Sequence, residues 1–237
     1  IPPSIAMILY GISANVSVGS LFIAGIIPGI VLGLLFLVYV IYYVIKNKVV
    51  EKLEVEKGHM WELTREALWS LGVPIIVIGG IYSGLFTPTE SVAIAAIYAV
   101  VVSLVVFRDM SLKDVLRIAT SSSLMTAKIF ILVASSSFFG YFLSLNHIPQ
   151  TIADWLSAYD LSAFTLLLMV NIIFLIVGMF IEPNSAILIF TPLFYPIVTA
   201  AGVDPIHFGI IMTVNLAIGM YTPPFGLNIF VRMSSLR

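Results

Sequence analysis

The residues that could do chemistry in this chain are oxygen donors set at breaks in apolar sequence. Glu182-Pro183-Asn184-Ser185 gathers a carboxylate, an amide and a hydroxyl in one short break. Thr222-Pro223-Pro224-Phe225-Gly226, just after Gly219, interrupts another apolar run. Ile1-Pro2-Pro3-Ser4 carries the same Pro-Pro pair ahead of the apolar stretch 5–9. Proline removes a helix donor and clashes with the preceding turn, so a Pro-Pro pair unwinds about one turn. Carbonyls released over 219–223 suit a hard cation such as Na⁺, and half-helix N-termini favour anionic groups. A proline kink satisfied by neighbouring helices is the competing reading. Other chemistries have less to work with. The chain has no cysteine, which removes disulfides, thiolate metal sites and thiol nucleophiles. His147 falls in a polar loop and His207 at a helix start, so no histidine cluster suggests a metal. Neither histidine lies near the mid-span serines that an intramembrane hydrolase would need.

The elements that hold these donors are membrane spans. Apolar residues make up 60% of the sequence and charged residues only 10%, against roughly 25% charged in an average soluble domain. A surface cannot be clothed in polar side chains at that composition. The net charge of −1 says nothing about acidic partners, and no nucleic-acid partner or organic cofactor is expected. No signal peptide is visible. A hydrocarbon core about 30 Å thick needs about 20 apolar residues as helix. Residues 20–45 meet this requirement. Residues 46–70 are polar and can form an amphipathic helix carrying Trp61 and Trp69 at a membrane surface. Shorter apolar runs 71–86 and 91–107 are joined by Thr87-Pro88-Thr89-Glu90, and polar 108–117 precedes the long span 118–145. A polar loop 146–162 follows, then apolar 163–181 and 186–200 flanking the Glu182–Ser185 break. The last apolar run is 206–231.

Charge orients the spans. Lys46, Lys48, Lys52, Lys57 and Arg65 share one loop; Arg108, Lys113 and Arg117 share the next; Arg232 and Arg237 close the chain. Cytoplasmic loops carry the Lys/Arg excess. This puts 46–70 and 108–117 in the cytoplasm and 146–162, which lacks Lys and Arg, outside. Every crossing agrees. The half-helix after Pro3 then runs outward and the one after Pro224 runs inward. Matching interruptions in opposite senses are what an inverted-topology repeat predicts.

Several polar residues have two readings. The run 186–200 is shorter than the hydrocarbon core, so Glu182–Ser185 could be the tip of a re-entrant hairpin near the midplane, where an ionisable group is a functional candidate. It could equally be a polar turn at the cytoplasmic surface. Glu90 reads as a first-turn acid in a helix starting at Pro88 with Thr87 as N-cap, rather than as an ion ligand. Ser121–Ser123 and Ser135–Ser137 read as small residues at helix contacts before they read as a polar path. Lys128 can snorkel. Of the mid-span amides, Asn215 stands one turn before Gly219 and is the better site neighbour than Asn171.

Three stretches carry a family resemblance. The run 79–90, Gly79-Gly80-Ile81-Tyr82-Ser83-Gly84-Leu85-Phe86-Thr87-Pro88-Thr89-Glu90, resembles a signature of the large membrane (DctM-type, M) subunit of tripartite ATP-independent periplasmic (TRAP) transporters. Residues 215–227, through Gly219-Met220-Tyr221-Thr222-Pro223-Pro224, resemble that family's second broken helix; Ile1-Pro2-Pro3-Ser4-Ile5 with 8–11 and 21–29 resembles the first. The resemblance covers essentially the whole chain. It implies an all-α, elevator-type membrane transporter with inverted repeats, broken helices and re-entrant hairpins. Residues 1–45 would end the first repeat, 46–70 would be a cytoplasmic linker, 71–162 scaffold and arm helices, and 163–237 the transport-domain hairpin and broken helix. It implies Na⁺-coupled import of an organic acid, commonly a C4-dicarboxylate or sialic acid, in the bacterial inner membrane. The partners implied are a small Q-type membrane subunit and a periplasmic binding protein. Na⁺ ligands would come from Glu182, Asn184, Ser185, Gly219, Thr222, Pro223, Pro2 and Ser4. Substrate contacts would come from Asn184, Ser185, Thr222, Pro224 and Ser4. An acidic Glu182 departs from what an anion site wants. A start without Met and an end soon after an apolar run lead us to expect the C-terminal part of a longer subunit, lacking its first hairpin and final helix. A purely structural membrane subunit, a proton-coupled transporter without Na⁺ sites, and a channel are the rival readings; no repeated charged ring favours the last.

Overall fold

The computed structural model describes residues 2–47, 60–157, 162–224, 226 and 228. The described residues are helical, with no strand among them. In chain order the helices are α1 Ile5–Ala14, α2 Val18–Asn47, α3 Met60–Tyr82, α4 Pro88–Val101 continued by a π-helical turn Val102–Phe107, α5 Leu112–Leu145, α6 Ile148–Ser157, α7 Ala163–Phe180, α8 Pro183–Ala200 and α9 Pro205–Gly219. Five are long and apolar enough to cross a membrane: α2, α4 with its π extension, α5, α7 and α8. Their apolar side chains face outward: Leu35, Val38, Tyr39 and Ile45 on α2 are all more than half exposed. Outward apolar surface on this scale needs lipid or another apolar partner around it. The amphipathic linker expected over 46–70 falls largely outside the described residues, as does the half-helix after Pro224. Residues 60–70 are already part of α3.

Two differences from the sequence reading have local causes. α5 starts at Leu112, inside the polar segment 108–117, because Ser111 and Asp114 close a capping box: Asp114 N–H donates to Ser111 Oγ at 3.3 Å, and Ser111 N–H donates to Asp114 Oδ2 at 3.0 Å. The loop 146–162 contains α6. Its Pro149 is fully buried, Ile148 and Ile152 are half-buried, and the helix packs on α8.

The chain divides into two compact units. One comprises residues 1–3 and 26–123 and is built on the α3–α4 pair, where Tyr98 lies over Gly72 and its hydroxyl donates to the Trp69 carbonyl at 2.9 Å. The other comprises residues 4–25 and 124–237. Its core is aromatic. Phe174 of α7 meets Phe194, Phe208 and Phe190 with ring centroids 5.3, 6.0 and 6.2 Å apart. Tyr10 of α1 packs edge-on to Phe208 and donates to the Pro205 carbonyl at 2.6 Å. Gly209 leaves the room for that ring, since a Cβ there would come within 2.3 Å of Tyr10 Cε1. The result fastens α1, α8 and α9 around one another and sets α7 against α9.

Candidate ion and substrate site

The site is built in the second unit by two parallel helices that stop together. α7 and α9 run in the same direction. Asn215 Nδ2 donates to Asn171 Oδ1 at 2.5 Å, and one to two turns on Gly219 meets Gly178. Each amide also donates to its own helix, Asn171 to the Leu167 carbonyl and Asn215 to the Ile211 carbonyl. This pairing sets the register of the two helices. At Gly219 an added Cβ would stand 2.5 Å from Gly178 Cα and C, so the backbones touch. Beyond this contact both helices break. α7 leaves helical geometry at Ile181, and α9 gives way to a turn from Met220. The segments 182–185 and 220–224 therefore begin within about one helical turn of the same point.

The hairpin tip is internally bonded. Glu182 is the N-cap of α8, with buried Pro183 in the first helical position. Its Oε2 accepts from the Ser185 amide at 3.0 Å and from Ser185 Oγ at 3.2 Å, and its Oε1 accepts from Asn184 Nδ2 at 2.6 Å. The charge that looked out of place beside an anion site is thus held by the start of its own helix and by both polar neighbours. All three residues are half-buried.

The second break is a sequence of turns. The Gly219 carbonyl accepts from the Thr222 amide at 2.9 Å, that of Met220 from the Asn228 amide at 3.2 Å, and that of Thr222 from the Gly226 amide at 3.2 Å. Thr222 Oγ1 donates to the Ile218 carbonyl at 2.9 Å. Pro223 and Pro224 are exposed, with a cis peptide between them. Each carbonyl keeps a second lone pair for an outside ligand. Pro2 and Pro3 are also joined by a cis peptide, and Pro2 is buried. Pro2 belongs to the other compact unit, whereas Ser4 opens α1 in the unit of the tip. Ser4 caps α1 with no side-chain hydrogen bond, in contrast to Glu182, Ser162 and Asp204 at the starts of α8, α7 and α9. The structure brings Glu182, Asn184, Ser185, Gly219, Thr222, Pro223 and Pro224 to the α7–α9 end, and Ser4 onto a helix packed against α8 and α9. The contact residue that sequence reasoning missed is Gly178. Its only signal was a glycine near the end of an apolar arm.

Relatives decide what this arrangement belongs to. Residues 1–234 match the family described as tripartite ATP-independent periplasmic transporter, DctM component. The chain belongs to the DctM family. It is 46% identical over 232 residues to the C4-dicarboxylate TRAP transporter large permease protein DctM of Pseudomonas aeruginosa, covering 98% of this chain and 54% of that protein. It is 42% identical over 234 residues to the ectoine TRAP transporter large permease protein TeaC of Halomonas elongata, covering 99% of this chain and 55% of that protein. It is 35% identical over 232 residues to the sialic acid TRAP transporter large permease protein SiaM of Vibrio cholerae, covering 98% of this chain and 54% of that protein. The chain spans about half the length of the curated relatives it matches. DctM proteins are membrane permeases, not enzymes, and the five apolar helices make this chain a multi-pass membrane protein.

Proposed function

We propose that this chain is part of the membrane subunit of a Na⁺-coupled secondary transporter that imports an organic acid. The observation that carries the proposal is the backbone contact of Gly178 with Gly219, because it joins the tip Glu182–Ser185 to the break Gly219–Pro224. The donor set fits Na⁺, a hard cation that takes oxygen ligands. Carbonyls of Gly219, Thr222 and Pro223 and the oxygens of Glu182 and Ser185 would hold one ion. The opening at Pro2-Pro3-Ser4 would contribute to a second. Asn184, Ser185, Thr222, Pro224 and Ser4 would then meet the substrate carboxylate, with α1 offering an N-terminus that no side chain caps. The relatives named for C4-dicarboxylate, ectoine and sialic acid support a small organic acid as the substrate class.

The wider mechanism follows the same reading. Ions order the tip and the break, the carboxylate binds, and the loaded transport domain slides against its scaffold in elevator fashion. The hairpin 163–200 is re-entrant in this scheme. A periplasmic binding protein delivers the substrate and a small Q-type membrane subunit stands beside the scaffold. The protein sits in the bacterial inner membrane with 46–70 and 108–117 cytoplasmic and 146–162 periplasmic.

The test is uptake of labelled organic acids into proteoliposomes holding the full-length protein and its small subunit. It is run with and without the binding protein and an inward Na⁺ gradient. Uptake that needs both, and that loses its Na⁺ dependence in Thr222→Ala or Asn184→Ala, is the expected result. Uptake indifferent to Na⁺ overturns the ion sites and points to protons. No uptake from folded protein overturns the transport reading.

A further inference from the structure

α8 carries a proline in mid-helix whose consequence falls on another helix. In an α-helix the amide of residue i donates to the carbonyl of residue i−4, and proline has no amide to donate. Pro192 therefore leaves the Leu188 carbonyl without its intrahelical partner. Leu188 is buried, so leaving that carbonyl unpaired is costly. The donor it finds is Ser136 Oγ of α5, itself buried. The other mapped hydroxyls in this run, Ser135 and Ser137, donate to their own helix at Ile131 and Val133. Ser136 alone of the three turns its hydroxyl across to α8.

A second contact lies on the same stripe. Gly140 of α5 faces Pro192, where an added Cβ would come within 3.0 Å of the proline ring. Ser136 and Gly140 are one turn apart, as are Leu188 and Pro192, so the two helices touch in parallel register. Towards the tip the packing opens. A cavity of about 320 Å³ lies there, lined by Ser135, Phe139, Ser185 and Ile189 among others. On the tip side of Pro192, the Ser136 bond is the polar link that bridges this gap. It grips α8 one turn above Asn184 and Ser185, on the face those residues share with Leu188.

We propose that Ser136 is a positioning residue for the substrate and ion site: by capping the carbonyl that Pro192 frees, it fixes the first two turns of α8 and with them the Glu182–Ser185 tip. The kinetic part of this proposal rests on the transport reading above; the structural part does not. Pro192 and Ser136 form a matched pair. Without the proline, α8 would satisfy Leu188 by itself and Ser136 would be dispensable. With it, loss of the hydroxyl leaves an unpaired carbonyl next to an open cavity, and the tip loses its register.

The experiment uses the full-length protein with its small subunit and binding protein, in proteoliposomes for uptake and in nanodiscs for amide hydrogen exchange. Ser136→Ala is expected to raise the KM for substrate roughly threefold to tenfold with Vmax nearly unchanged, the size of one membrane-interior hydrogen bond. Exchange in peptides covering 183–191 should rise. Ser136→Thr, whose extra methyl has the cavity to enter, should restore both readouts. Ser136→Ala built on Pro192→Ala should match Pro192→Ala alone. Equal behaviour of the Ala and Thr variants, or an undiminished Ser136→Ala effect on the Pro192→Ala background, overturns the proposal. If the unaltered complex shows no uptake with or without a Na⁺ gradient, the transport reading fails, and exchange alone decides on Ser136. Unchanged exchange in Ser136→Ala then overturns the positioning role.

Discussion

At the start of α4, Thr87 caps the helix and Glu90 closes the ring three residues on; at the start of α8, Glu182 caps and Ser185 closes it. Each start puts proline in its first turn, pairs a carboxylate with a hydroxyl, and returns a hydrogen bond to a backbone amide. The setting differs. Thr87 and Glu90 are exposed, whereas Glu182 and Ser185 are half-buried, Pro183 is buried and Asn184 supplies an extra donor. The α4 ring starts its helix at an exposed position, where it serves as a cap. The α8 ring stands where α7 and α9 stop together, and under the proposed function the same chemistry there would leave oxygens and a carboxylate for an ion. In that reading position, not motif, separates a cap from a ligand set.

The sharpest way to break this comparison is to separate the two helix ends. Gly219→Ala should abolish uptake and cost about 1–3 kcal/mol of stability, because its new methyl meets the Gly178 backbone at 2.5 Å. Gly79→Ala, with nothing within 4 Å of its added Cβ, should leave uptake intact. Next, Glu182→Ala should lower apparent Na⁺ affinity about tenfold, as loss of a charged ligand does, while Glu90→Ala leaves that affinity unchanged; Na⁺ titrations of uptake compare the two. Asn215→Ala removes the amide pair with Asn171 and should cost about 1 kcal/mol in a denaturation series. The smallest effect belongs to Thr87→Ala, which should lower Tm slightly and leave KM alone.

The sequence already displays much of this. Thr87 as N-cap with Glu90 in the first turn is a local arrangement, and the structure has it. Long apolar runs predict α2, α5 and α7, because span length is fixed by bilayer thickness. The break after Gly219 follows from Pro223 and Pro224. Pairings between distant residues are another matter. Nothing in the spacing of Asn171 and Asn215 says that they bond to each other rather than to a ligand. Nothing near Pro192 names Ser136 as the donor for its orphaned carbonyl. α6 was hidden because its loop is polar on average, while Pro149, Ile148 and Ile152 turn to one side. These features depend on how helices lie against one another, which a single chain read in order does not contain.

The contact between Gly178 and Gly219 has an electrostatic consequence. An α-helix carries roughly half a negative charge at its C-terminal end. α7 and α9 bring two such ends to one point, held by backbone contact and by an amide pair. Two like partial charges brought together repel, and a cation between them would offset the penalty. If the proposed ion site is real, the empty protein accepts a cation ahead of an anion. Sodium alone should raise the melting temperature of the full-length protein, by simple linkage to the folded state. The organic acid alone, arriving before the ion has reversed the local field, should not.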